Sequence, residues 1–367
     1  MSAIVPIRMP KWGLSMQEGA IALWLKGEGD AVAEGEDLVD IETSKIANVC
    51  ESPAAGTLRR IVGHPGETLG VGALIGVLAD PATPEAEIDA FVADFQAAFT
   101  PDAADAAETS ALGLSTIEAG GHAIRVGRAG GGEGPPTVLI HGYGGDLNNW
   151  LFNIEALAGR GPVLAVDLPG HGGSSKDVGD GSLGVLASRV AAALDAEGVR
   201  GARLIGHSLG AAVAMRIAAD RPDLAASLVL IAPAYLPGTT PNPAFLTGLI
   251  EAERARDLRP VLGLLLADPA AVSREMIEDM LRFKRTDGAE TALSAIRDRM
   301  LDGKDAAALD AALATLPPAL VIASKGDRIV GPPDEAALPP GWRVEWIEAA
   351  GHMPHLEQAA TVNALLS

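Results

Sequence analysis

Ser208 stands in Gly206-His207-Ser208-Leu209-Gly210, a G-x-S-x-G stretch, between the apolar run Ala202–Ile205 and the small-residue run Ala211–Ile217. A turn from strand to helix at this point is too tight for side chains on its flanks, so glycine is needed there. Its strain lifts the serine hydroxyl clear of the backbone. The helix beginning behind it turns free N–H groups and a positive dipole end toward any negative charge formed nearby. Five residues alone could be an ordinary Gly-rich turn, so the partners matter. A serine hydroxyl is a poor nucleophile until a base takes its proton. A neutral imidazole can do so near neutral pH, and a carboxylate fixes its tautomer and stabilises its charged form. Two later positions, each just past an apolar run, offer such partners. Asp327 follows the apolar run Ala319–Ala323, and His352 follows the run Val344–Ile347. Asp327 is therefore the expected acid and His352 the expected general base. Asp334 is a second choice of acid, in a proline-rich loop without a strand end. His355 falls at the start of a last helix, and His207 is expected to pack beside the turn.

The elements that must hold these groups alternate. Short apolar runs at Thr137–Ile140, Val163–Asp167, Arg203–Ile205, Ser227–Ile231, Leu320–Ala323 and Val344–Ile347 are separated by helical stretches. This pattern predicts a parallel sheet covered on both faces, over residues 116–367. His141-Gly142-Tyr143-Gly144-Gly145 directly follows the first of these runs. His171, in Asp167–Ser175, reads as a structural loop residue. Residues 236–315 form a helical insertion, expected to cap the site and shape its pockets. Within it Arg282, Lys284 and Arg285 stand out in an acidic chain. They could meet phosphates, but a solvated face is the preferred reading.

Residues 1–80 differ in kind. Short runs such as Gly19–Leu25 and Leu38–Glu42, broken by glycine, predict a small all-β unit. Gly29-Asp30-Ala31-Val32 followed by Gly35 recurs as Gly66-Glu67-Thr68-Leu69 followed by Gly72, which suggests two similar half-sheets packed on each other. Cys50 reads as a packing residue and His64 as a surface one. Residues 81–115 read as a linker carrying one amphipathic helix, with Ile88, Phe91, Val92, Phe95 and Phe99 on one stripe. That stripe could dock a partner or the chain's own larger domain, and the larger domain is the preferred reading. The linker, if coil-like, spans roughly 30 Å.

The chain has 367 residues, 48% hydrophobic and 21% charged, enough for a sizeable core, and a formal net charge of -20. Such acidity argues against nucleic acid and anionic membrane surfaces as partners. A single cysteine, Cys50, leaves no intrachain disulfide or Cys-based metal site, and no metal is expected. Residues 1–10 lack a signal-sequence pattern and no apolar run approaches spanning length, so the cytoplasm is the expected compartment.

Glu42-Thr43-Ser44-Lys45 resembles the E-T-x-K signature of the lipoyl domains of 2-oxo acid and acetoin dehydrogenase complexes. The resemblance implies a hairpin tip on which Lys45 carries lipoate in amide linkage. Ser44 and Ile46, where biotin carriers have methionines, favour lipoate. Residues 116–367 are similar to the α/β-hydrolase fold. In that fold the loop after the first of the listed strands supplies an oxyanion-hole N–H, which matches Tyr143, with Leu209 as the second donor. The expected fold class is thus a two-domain chain, a small all-β lipoyl-type sandwich plus an α/β-hydrolase fold with a helical cap. As a whole the chain resembles the dihydrolipoamide acetyltransferase (E2) subunits of acetoin dehydrogenase complexes. This implies acetyl transfer from the lipoyl arm to coenzyme A as acceptor, either through an acetylated Ser208 or by direct attack of a thiol deprotonated by His352, with Ser208 holding the oxyanion. It also implies a thiamine-diphosphate E1 and a flavin-dependent dihydrolipoamide dehydrogenase E3 as partners, and a homo-oligomer. The H-x-x-x-D-G signature of ordinary acetyltransferase subunits is absent. The rival classes are a lipoyl-fused esterase or thioesterase, and a non-catalytic carrier and scaffold.

Overall fold

A computed structural model describes residues 4–10, 18–42, 47–99, 112–132 and 134–367, in two compact units that change over at residues 110 and 111. Lys45 and most of the linker after Phe99 lie outside the described residues.

The first unit is a sandwich of two four-stranded sheets. Its strands are β1 (Val5–Arg8), β2 (Glu18–Trp24), β3 (Ala31–Val32), β4 (Asp37–Glu42), β5 (Ala47–Glu51), β6 (Gly56–Ile61), β7 (Thr68–Gly70) and β8 (Leu74–Ala79). The sheet orders are β1-β8-β6-β3 and β5-β4-β2-β7. Each order becomes the other on exchanging β1–β4 with β5–β8, so the internal repeat is a genuine two-fold relation. The expectation of one sheet per half is corrected: each sheet takes two strands from each half. Gly29, Gly35, Gly66 and Gly72, the repeat's paired glycines, all have left-handed φ, between 76° and 97°. Only glycine takes that conformation without strain, which is why the pattern survives as glycines. Ile7, Ile21, Leu38, Ile41, Leu58, Ile75 and Leu78 fill the space between the sheets, with Cys50 buried among them.

The linker helix α1 (Glu85–Ala98) packs against this same unit. Ile88 is fully buried with Leu74 and Val77, flanked by Phe91, Val92 and Phe95. Arg60 pairs with Glu85 at 2.8 Å and with Asp89 at 2.7 Å, fastening the first turns to β6. The expectation that this stripe docks on the larger domain is corrected, because the apolar face is used on the carrier's own sheet.

The second unit is an eight-stranded sheet ordered β16-β15-β14-β13-β11-β12-β10-β9. Its strands are β9 (Gly113–Ala119), β10 (His122–Ala129), β11 (Thr137–Ile140), β12 (Val163–Val166), β13 (Ala202–His207), β14 (Ala225–Ile231), β15 (Ala319–Ser324) and β16 (Arg343–Ile347). From β11 to β16 neighbouring strands are parallel, and all but the edge strand β16 are strongly apolar, as a sheet covered on both faces requires. β9 and β10 add an antiparallel hairpin at one edge, turning on Gly120 and Gly121 with φ 59° and 81°. Helices α2 (Leu151–Ala158), α3 (Leu183–Ala196) and α4 (Leu209–Asp220) serve the sheet. Between β14 and β15 come the cap helices α5 (Pro243–Glu251), α6 (Ala255–Leu262), α7 (Arg274–Lys284), α8 (Ala289–Leu301) and α9 (Lys304–Ala312). After β16 come α10 (Pro354–Glu357) and α11 (Ala359–Leu365). Lys284 is 8% exposed and its Nζ donates to Ile250 O and Ala252 O at 2.6 Å. Those carbonyls close the C-terminal end of α5, where a cation is favoured. The solvated-face reading is therefore corrected for Lys284, while Arg282 is exposed and paired with Asp279 at 2.9 Å.

Candidate active site

The C-terminal ends of five parallel strands lie side by side. The register pairs Ile140 with Gly206, His207 with Ile231, Ile231 with Ile322, and Ser324 with Ile347. Whatever follows β11, β13, β15 and β16 is thereby gathered along one edge of the sheet. Tyr143, Ser208, Asp327 and His352 each follow one of those strands.

Ser208 is the single residue between β13 and α4 and has φ 54° and ψ −116°, a conformation that costs a non-glycine residue about 1–3 kcal/mol. The flanking glycines are dictated by space. A Cβ on Gly206 would strike Ala211 N and the Gly210 carbonyl, and one on Gly210 would strike the carbonyls of Ile140 and His141. Gly142 is held against the turn: a Cβ there would lie 2.8 Å from His207 Nδ1 and 3.1 Å from Ser208 Cβ. Among the described residues the backbone N–H groups of Tyr143 and Leu209 have no acceptor. Both are orphan donors beside Ser208, the arrangement an oxyanion hole needs. The Tyr143 ring is buried and its hydroxyl donates to Leu293 O at 3.0 Å, which fixes that loop from the cap side.

Asp327 Oδ2 accepts from His352 Nδ1 at 2.8 Å, and its Oδ1 accepts from the N–H groups of Ile329 and Val330 at 2.8 and 3.0 Å. Burial alone would raise the Asp327 pKa. The His352 charge and hydrogen bond, with the two N–H donors, outweigh burial and hold it below the ordinary carboxylate value. An ionised Asp327 binding Nδ1–H leaves Nε2 of His352 as the basic nitrogen. His352 is 2% exposed.

The other candidates fall elsewhere. Asp334 caps a short 3-10 turn, accepting from Ala336 N at 3.1 Å. His355 lies in α10, fully buried between Trp150 and His207. His171 donates from Nδ1 to Pro169 O at 3.1 Å and stacks on Phe283. His207 does more than pack. Its Nε2 donates to the His352 carbonyl at 2.8 Å, so the residue before Ser208 holds the backbone of the histidine. His141 was legible only as part of its glycine-rich loop. Its Nε2 accepts from Leu168 N at 3.0 Å and its Nδ1 donates to Gly142 O at 2.8 Å, bracing the loop that presents Tyr143 N–H. Lys45 lies outside the described residues. Glu42 and Ala47, which flank it in sequence, pair at the end of the β4–β5 ladder.

Two family descriptions match the chain: "Biotin-requiring enzyme" over residues 5–78 and "Alpha/beta hydrolase family" over residues 137–365. A Pseudomonas putida protein named dihydrolipoyllysine-residue acetyltransferase component of acetoin cleaving system is 44% identical over 99% of this chain and 97% of its own length. A Cupriavidus necator protein of the same name is 41% identical over 99% and 96%. The structure of a meta-cleavage product hydrolase from Pseudomonas fluorescens IP01 superposes with a TM-score of 0.62. It is 22% identical, covers 70% of this chain and 96% of its own, and shares the fold. A lipoyl domain and an α/β-hydrolase domain in one chain, matched from end to end, make this an enzyme of the acetoin-cleaving dihydrolipoyllysine-residue acetyltransferase family.

Proposed function

We propose that the chain transfers an acetyl group from a lipoyl arm on Lys45 to the thiol of coenzyme A, with Ser208 as nucleophile, His352 as base and acid, and Asp327 as its partner. The Asp327–His352 hydrogen bond beside the strained Ser208 turn carries this reading. When bound, lipoate supplies a thiol that carries the acetyl group as a thioester. His352 Nε2 takes the Ser208 proton as Oγ attacks the acetyl carbonyl, and the N–H groups of Tyr143 and Leu209 receive the oxyanion. His352 then returns the proton to the departing thiolate. In the second half, His352 takes the proton of the coenzyme A thiol, sulfur attacks the acetyl-serine ester, and Ser208 recovers its proton. The ester is less activated than the thioester, so this second half is uphill and water must be kept out. The cap helices would serve that end.

The same reading places the chain in a cytoplasmic complex with a thiamine-diphosphate E1 and a flavin-dependent E3, as a homo-oligomer. A lipoyl-fused esterase is the second reading, favoured by the hydrolase fold alone. Incubation with S-acetyl-dihydrolipoamide, with and without coenzyme A, separates the two. Acetyl-coenzyme A should form, with a fall of about 10⁴ in rate for Asp327→Asn. Acetate release at one rate whether or not coenzyme A is present would support the esterase.

A further inference from the structure

The turn following α6, Gly263-Leu264-Leu265-Leu266-Ala267, belongs to the cap, yet it is tied to the loops that carry the acid and the base. His352 N donates to Leu265 O at 2.7 Å. Ala267 N donates to Glu357 Oε2 at 2.6 Å, and the other oxygen of the same carboxylate accepts from Gly351 N at 2.8 Å. Arg328, adjacent to Asp327, donates from Nη2 to Gly263 O at 2.6 Å and Leu266 O at 2.5 Å. The approach is close enough to dictate a residue type. A Cβ on Gly351 would lie 2.7 Å from Ala267 N, Leu265 O and Leu266 C, although its own φ would suit any residue.

We infer that Glu357 is a positioning residue: its carboxylate joins the cap turn to the N–H of Gly351, the residue before His352, and so fixes where the imidazole stands. This rests on the reading of His352 as the base. The loop from Ala350 to Met353 has no ladder or helix of its own, so its backbone depends on borrowed partners. A carboxylate with two separate acceptor oxygens can bridge two N–H donors. An amide offers one acceptor and turns an NH₂ toward the second donor. The cap turn therefore cannot lift without releasing the histidine, and any opening of the cap must occur at other helices.

The test compares Glu357→Gln, Glu357→Ala and Gly351→Ala in the full chain. Turnover of S-acetyl-dihydrolipoamide should fall in kcat by tenfold to about 10²-fold, more for Ala than for Gln, with KM little changed. The downfield proton resonance of His352 Nδ1–H on Asp327 should broaden in step, while circular dichroism stays native. Wild-type kcat with an unaltered resonance in Glu357→Gln and Glu357→Ala would overturn the inference. Labelling by a serine-directed fluorophosphonate separates this failure from that of the underlying reading. An unlabelled wild-type Ser208 sinks both, whereas equal labelling rates in wild type and Glu357→Ala sink the positioning role alone.

Discussion

Four imidazoles in the hydrolase unit are held neutral by burial, among them His207, whose pKa lies well below the ordinary value. Burial lowers the pKa of His141 to about 4, with its Gly142 bond acting against the shift. The pKa of His171 falls to about 3, with the neighbouring His141 adding to the effect of burial. His355 also falls to about 3, with His352 adding to burial. In the unfolded chain each takes up a proton below about pH 6.5. In the folded chain none does until pH 4 or lower, so the unfolded state binds more protons and stability falls as pH drops from 6.5. The slope is up to about 1.4 kcal/mol per pH unit for each histidine. Asp327 acts in the same direction but only below about pH 3.8, where the carboxylate of the unfolded chain takes up a proton that the paired one, its pKa lowered, still refuses. Urea unfolding between pH 7 and 5 should show a steady loss, reduced by about one proton's slope in His355→Leu. A flat profile would contradict the burial of these rings as neutral species. At this scale the sequence revealed residue types and chain order: an acid and a histidine, each just past an apolar run. It did not reveal that Lys284 closes α5 or that His207 holds the His352 carbonyl. Those partners are 32 and 145 residues away and depend on how helices cross.

The element that concentrates the chemistry is the β13–Ser208–α4 turn, and its tolerance is set by backbone contacts. Gly210→Ala would press a methyl group into the Ile140 and His141 carbonyls, which belong to the strand end and loop carrying Tyr143. Overpacking of this kind costs about 1–3 kcal/mol. The hydrolase unit of Gly210→Ala should unfold at lower urea, with loss of Ser208 labelling. A wild-type midpoint and wild-type labelling would show that the turn has room to spare. The parallel strands were legible because buried strands read as continuous apolar runs. The β9–β10 hairpin was not, since Gly113–Ala119 is largely exposed and mixed in polarity. Its one strong signal was the Gly120-Gly121 turn. In the carrier, the glycine repeat disclosed the two-fold relation. The exchange of strands between halves needed the pairing register, which a motif of five residues does not contain.

Across the whole molecule, two modules that would each be unremarkable alone are joined in one chain. The helix α1, expected in the linker, packs on the carrier unit through Ile88 and its neighbours. The proposed chemistry requires an arm loaded on Lys45 to discharge at Ser208. Rapid-quench analysis of the lipoylated chain, acetylated on its arm and mixed with coenzyme A, tests this most directly. Acetyl should leave Lys45, pass transiently through Ser208 and appear on coenzyme A, and Ser208→Ala should retain it on the arm. Discharge of Ser208→Ala at the wild-type rate, or recovery of the acetyl group as acetate regardless of coenzyme A, would contradict it.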